Sequence, residues 1–212
     1  MNRLPLIFFG VFLTFAFSWL GLVVYPYFEL GRLQPAPDED TGGYFPPTTT
    51  GLATAGQKVF AANGCLYCHS QQVRLAPLST DIAKGLGPRQ TVARDYLRAQ
   101  PAFLGTMRTG PDLTNIGVRQ PDPNWHHRHL YEPRSVTDWS IMPSFRFLYH
   151  MRKIQGQPSD DAVPGLVGPH APPPGFEVVP SDDAKALVAY LVSLQRNYPL
   201  PESPLPPVKI IP

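Results

Sequence analysis

The sequence predicts a mainly α-helical chain: a single N-terminal transmembrane helix, then a helical domain enlarged by proline-rich insertions. Three observations lead there. Leu4 to Phe28 is a run of 25 residues without a formal charge. Amphipathic helical patterns open at Ala53 and again over Ser181 to Arg196. Finally, 27 of the 212 residues are proline, about twice the average share. Proline breaks helices and sheet ladders, so short elements on long stiff loops are expected. The length suits one domain or two small ones. The expected division is an anchor over 1–28, a tether over 29–52, a folded domain over 53–198 and a proline-rich tail over 199–212.

The apolar run is long enough to cross a hydrocarbon core as a tilted helix. Asn2 and Pro5 suit its opening turn, where a missing amide proton costs nothing, and Pro26 marks its exit. A cleaved signal peptide would have a shorter apolar region followed by small residues. Here Tyr25-Pro26-Tyr27-Phe28-Glu29 follows instead, so an uncleaved anchor is expected. Arg3 and Arg32 nearly balance, and charge alone leaves orientation open. Gly10, Thr14, Ser18 and Gly21 share one stripe, opposite Phe8, Phe12, Phe15 and Trp19. Small residues let another helix approach closely, although they are common in membrane spans generally.

Residues 30–52 are rich in Gly, Pro, Thr and acids, and read as a tether without a core of its own. The helix from Ala53 ends at Asn63-Gly64, with Gly56 and Phe60 one turn apart on one face. The last helix is capped by Ser181, and Asp182 and Asp183 complement its dipole. Leu187, Val188, Leu191 and Leu194 form its apolar face beside Tyr190. Further helices are expected at Thr91–Ala99 and Ser144–Gln155.

Directly after the first of these helices stands Cys65-Leu66-Tyr67-Cys68-His69. C-x-x-C-H is the attachment signature of a c-type haem. Two thiols three positions apart can each add across one porphyrin vinyl group, and the adjoining histidine falls beneath the iron. Cys65 and Cys68 are the only cysteines, so one covalent haem c would use both. A structural zinc site would need a second cysteine pair or spaced histidines. A thioredoxin-like pair would sit in a βαβ pattern, which is missing here.

Haem attachment of this kind takes place outside the bacterial cytoplasmic membrane. The domain is therefore expected in the periplasm, with Arg3 on the inner side. The net charge of +2 is too small to argue for a nucleic-acid partner. Arg74 to Lys153 carries twelve Lys/Arg against six Asp/Glu. That basic middle could meet haem propionates or an acidic partner, or be an ordinary solvated surface.

A first helix with a glycine notch and a last helix bearing aromatics, crossing beside a haem, resembles the closure of class I cytochromes c. That resemblance implies that the Pro111 carbonyl, in Thr109-Gly110-Pro111-Asp112-Leu113, accepts a hydrogen bond from His69 and orients its ring. A simple Gly-Pro turn is the alternative. The second iron ligand is assigned to Met142, in the irregular loop before Pro143, as class I cytochromes arrange it. Met107 and Met151 remain open, as do His126, His127 and His129 for a bis-histidine site.

His69-Ser70-Gln71-Gln72-Val73-Arg74, Arg108 to Leu113, Trp125-His126 with His129-Leu130, Pro133-Arg134 and Met142-Pro143 together carry a closer resemblance. They resemble the membrane-anchored monohaem subunit of cbb(3)-type cytochrome c oxidases, the FixO/CcoO family, from the anchor to about Phe147. The resemblance implies a haem held by Cys65 and Cys68 with His69 and Met142 as axial ligands. It makes Arg74 and Arg134 candidate propionate or interface residues. It also implies electron transfer without bond-making catalysis. The donor would be another cytochrome c subunit or a soluble cytochrome c, and the acceptor the catalytic haem-copper subunit in the membrane. The cytochrome c subunit of nitric oxide reductase shares this plan and is the first alternative. A membrane-tethered haem sensor or peroxidase with an open iron position is the second. The sequence departs from the family pattern in the Pro/Gly-rich insertion 156–180, with Pro172-Pro173-Pro174, and in the tail from Tyr198. Neither is expected to build a core; the tail is expected to lie along a neighbouring subunit or to be disordered.

Overall fold

Leu4–Leu30 forms one helix, α1, in the computed structural model, which describes residues 3–40, 42–49, 51–105 and 107–206. With a mean hydropathy of 2.3 over its 18-residue apolar stretch it is long and apolar enough to cross a membrane, and none of that stretch is buried against the rest of the chain. Pro5 lies in the first turn; Asn2 lies outside the described residues. Pro26 does not end the helix as expected. A π-helical stretch, Leu20–Val24, precedes it, and the Tyr25 amide donates to the Leu20 carbonyl. Such widened turns relieve the clash and the missing donor that proline brings. The Thr14 hydroxyl donates to the Gly10 carbonyl at 2.8 Å, so it needs no partner outside α1.

Two crossing helices, α2 (Leu52–Ala62) and the last helix α5 (Asp182–Ser193), organise the remainder. Gly56 permits the crossing, because a Cβ there would overlap the Ala186 carbonyl oxygen. Gly117 makes a second notch against Val192, from the short helix α3 (Ile116–Arg119). As expected, Ser181 caps α5 by accepting from the Ala184 amide, with Asp182 and Asp183 in its first turn. Helix α4 (Pro123–Tyr131) starts at Asp122, whose carboxylate accepts from the Asn124 and Trp125 amides. The main core gathers Phe60, Ile116, Leu130, Leu187 and Leu191 from these helices, and Leu113 from the loop before α3.

The described residues are mostly helical where they are regular, yet two expected helices are not found. Thr91–Ala99 holds only a 3-10 turn, Ala93–Tyr96. There Asp95 turns inward, accepting from Arg89 and from the Val92 amide. Ser144–Gln155 holds a 3-10 turn, Arg146–Leu148, and then strand β3 (Tyr149–Lys153). Phe145, Leu148 and Met151 share a helix-like spacing, but the segment pairs antiparallel with β4 (Phe176–Pro180), Tyr149 opposite Pro180 and Lys153 opposite Phe176. That partner comes from the insertion expected to lack a core. Val163, Leu166 and Val178, all within it, are buried in the main core.

The tether and tail depart from expectation in the same way. Strands β1 (Ala36–Pro37) and β2 (Tyr44–Phe45) form a small hairpin. Ala36 is buried with Tyr198 and Leu200, flanked by Phe45 and Val92. The Phe45 and Tyr198 rings stack at 4.4 Å, 4° from parallel. Arg89 donates to the Tyr198 carbonyl at 2.9 Å, Ser203 donates to the Gln90 carbonyl, and Arg94 joins Glu202 to the Gln34 carbonyl. Through Ser203 the tail therefore docks on its own chain, over the tether; residues 207–212 lie outside the described residues.

Candidate functional site

The C-x-x-C-H motif begins at a left-handed turn at Gly64 and continues as a 3-10 turn, Cys65–Tyr67. The Cys68 and His69 amides both donate to the Cys65 carbonyl, at 3.2 and 3.0 Å. This tight coil turns both cysteines and His69 onto one wall of a cavity of ≈ 380 Å³, within the range of cofactor sites. Both thiols are free, and burial pushes the Cys65 thiol up to about 11. No cluster of three or more His, Cys, Asp or Glu that could hold a metal ion occurs among the described residues.

The His69 ring is fixed from behind. Its Nδ1 lies 2.7 Å from the Pro111 carbonyl oxygen. A carbonyl only accepts, so Nδ1 carries the proton and Nε2 keeps its lone pair. Burial, first of all, lowers the pKa of the ring and favours the neutral form that binds metal. Gly110 is required here, because a Cβ would overlap the imidazole. Gln71, just past the motif, donates to the Tyr190 hydroxyl at 2.9 Å, which ties the motif to α5.

The loop Thr137–Pro143 and α4 also line the cavity. Met142 lines the cavity and packs on the core, its amide donating to Ser140 Oγ at 3.2 Å. Met107 and Met151 are more than half exposed and do not line it. His126 and His129 do, whereas His127 does not. His126 Nε2 lies 2.8 Å from the Gln120 carbonyl, which occupies that nitrogen. His129 stacks on Trp125 at 4.8 Å, and burial pushes its pKa down to about 4.

Arg74 and Arg134 do not line the cavity. The Arg74 amide donates to Asp81, and the Arg134 guanidinium lies 3.5 Å from Glu132. The cavity's guanidinium belongs to Arg119, at the end of α3, which sequence reasoning missed. It donates to the Asp112 carbonyl, and burial lowers its pKa. A cationic residue three positions after Ile116, one helical turn along from an apolar one, was the available signal.

The residues fit a haem. Two thiols, an imidazole and a thioether line one cavity together with apolar side chains. Arg119 Nε and His129 Nδ1 are buried without a hydrogen-bond partner among the described residues. Buried polar atoms are rarely left so, and a carboxylate-bearing group such as a porphyrin would supply acceptors.

A cavity of this chemistry, with one candidate membrane span among the described residues, suits a mono-haem electron-transport subunit. The chain belongs to the cytochrome c oxidase mono-heme subunit/FixO family: the family's profile matches residues 7–164, about three quarters of the length. No curated protein matches the chain.

Proposed function

We propose that this chain is a membrane-anchored c-type cytochrome of a cbb(3)-type oxidase, with a class I cytochrome c domain on the periplasmic side of the bacterial cytoplasmic membrane. It would pass electrons from a donor cytochrome to the catalytic haem-copper subunit. One observation carries the reading: Cys65, Cys68, His69 and Met142 converge on one apolar cavity while Pro111 holds His69 from behind. Cys65 and Cys68 would bind the haem by thioethers, and His69 and Met142 would be its axial ligands. Arg119 and His129 would face its propionates. When bound, the haem supplies a one-electron ferric/ferrous couple.

The chain's own residues do the rest. Pro111 keeps the proton on His69 Nδ1, so the ring stays neutral and its orientation is fixed. Leu113, Ile116, Leu130, Leu187 and Leu191 keep water from the cavity, and a dry site limits reorganisation during electron transfer. Trp139 and Ile141, 81 % and 75 % exposed, bring apolar surface from the Met142 loop to the mouth of the cavity. The anchor would hold the domain beside its acceptor permanently, while a soluble donor would dock weakly and salt-sensitively.

The covalent step is tested by a denaturing gel of the chain made in a host with c-type haem maturation. Haem-dependent peroxidase stain should follow the polypeptide and disappear in Cys65→Ala/Cys68→Ala. A chain without stain overturns the reading. Copurification in mild detergent with a copper-containing catalytic subunit tests the assembly, and an iron-only partner would point to nitric oxide reductase.

A further inference from the structure

The wall behind His69 carries more polar structure than one histidine–carbonyl hydrogen bond requires. Asp112, which follows Pro111, is fully buried. Its Oδ2 accepts from Ser70 Oγ and from the Gln72 amide, both at 2.7 Å. Its Oδ1 accepts from the Thr114 amide at 2.8 Å. The backbone reinforces this: Gly110 donates to the Cys68 carbonyl at 2.9 Å, and Leu113 to the Ser70 carbonyl at 2.8 Å. His69 and Pro111 are thus the middle members of two segments joined on both sides of their own hydrogen bond.

The charges around Asp112 are unevenly matched. Arg108 comes no closer than 3.8 Å to its carboxylate. That guanidinium is engaged by Asp81 at 2.5 and 2.8 Å, and also donates to Ser70 Oγ and the Gln72 carbonyl. Arg119 donates to the backbone carbonyl of Asp112 rather than to its carboxylate. The nearest partners of the carboxylate are therefore neutral dipoles, and the closest cation is largely balanced by a second acid. In a low-dielectric interior the field of such a group reaches its neighbours with little screening.

We infer that Asp112 is a positioning residue for His69, which fixes the His69–Pro111 hydrogen bond, sets a buried carboxylate behind the ring and thereby lowers the midpoint potential of the haem. The inference rests on the reading of His69 as proximal ligand. The physical basis is simple: the oxidised haem carries one more positive charge than the reduced one, so a nearby anion favours it. Groups that hold a ligand from behind tune metal centres in this way.

The test is a spectroscopic redox titration of the full-length, haem-loaded protein in detergent. Asp112→Asn keeps the shape and removes the charge. At a fixed ambient potential it should raise the ferrous/ferric ratio on the order of tenfold, about 59 mV for a one-electron couple. Ser70→Ala withdraws one donor from the carboxylate and leaves its charge less neutralised, so its potential should move the opposite way, downward. Opposite signs would not arise from a general loosening of the fold. An Asp112→Asn protein that titrates with the parent or below it overturns the inference. If that variant does not assemble with haem, Ser70→Ala decides alone: a downward shift supports the inference, and an unchanged or raised potential overturns it. Should the parent itself lack a covalently bound, histidine-ligated haem, the functional reading fails, and that result is visible before any variant is compared.

Discussion

The three internal methionines differ in where the fold places them. Met107 and Met151 are 57 % and 52 % exposed, while Met142 faces the same cavity as His69. With both axial positions filled by His69 and Met142, the iron would exchange electrons and exclude small ligands. Met142→Ala should abolish the ferric charge-transfer band of methionine ligation and let the ferrous protein bind carbon monoxide, both read by absorption spectroscopy. A parent protein that already binds carbon monoxide stoichiometrically while folded would favour a sensor or peroxidase instead. His129 lines the same cavity, but its ring stacks flat on Trp125 and suits a hydrogen-bonding role.

At the scale of elements, the regions expected to be loose are the ones held by buried contacts. The tail and the tether meet over Arg89 and Asp95, whose 2.8 Å ion pair has side chains 2 % and 0 % exposed. Arg89 also spans to the Tyr198 carbonyl. Removing one member of a buried pair leaves the other charge uncompensated, which costs more than the pair contributed. Arg89→Ala should therefore destabilise the protein by about 3 kcal/mol, measured as a lowered urea midpoint. The neighbouring Arg94–Glu202 pair is more exposed, and Glu202→Gln should change the midpoint by less than about 1 kcal/mol. The purpose of the clamp is geometric. It seats the β1–β2 hairpin on the domain and shortens the free chain between α1 and the cavity.

For the molecule as a whole, the protonation of half-buried His127 contributes to the loss of stability in acid. Burial, with His126 nearby, pushes the pKa of His127 down to about 4, against 6.5 in an unfolded chain. Its Nδ1 lies 3.1 Å from the Tyr149 hydroxyl, which can donate to a neutral ring nitrogen. Between those two values the unfolded state binds more protons than the folded one. The stability that neutral His127 contributes is complete above about pH 6.5 and is lost as pH falls towards 4. His127→Gln should flatten this acid limb, read from urea midpoints between pH 7 and pH 4.

Much of this was legible in the sequence because the signals are local. The candidate membrane span is a hydropathy run, the C-x-x-C-H motif a spacing of five residues, and the Ser181 cap a choice made within one turn. Gly56 was legible too, since one face of a short helix carries it with Phe60. The sequence by itself thus determined the apolar N-terminal helix, the mostly helical plan and the pairing of Cys65, Cys68 and His69 in one coil.

Only the tertiary structure decided which distant groups complete the site and which loops become core. Arg119 rather than Arg74 or Arg134 reaches the cavity, because the Gly117 notch seats α3 against Val192 and brings the end of that helix to the cavity wall. Residues 149–153 became a strand because their partner lies some 25 positions away, at Glu177 for Arg152, where no helical period records it. Arg89 and Tyr198 are 109 residues apart. Side-chain spacing along the chain reports what a residue does to its neighbours within a turn or two. Burial, ion pairing and ring stacking depend on contacts that exist only once the chain has folded back on itself.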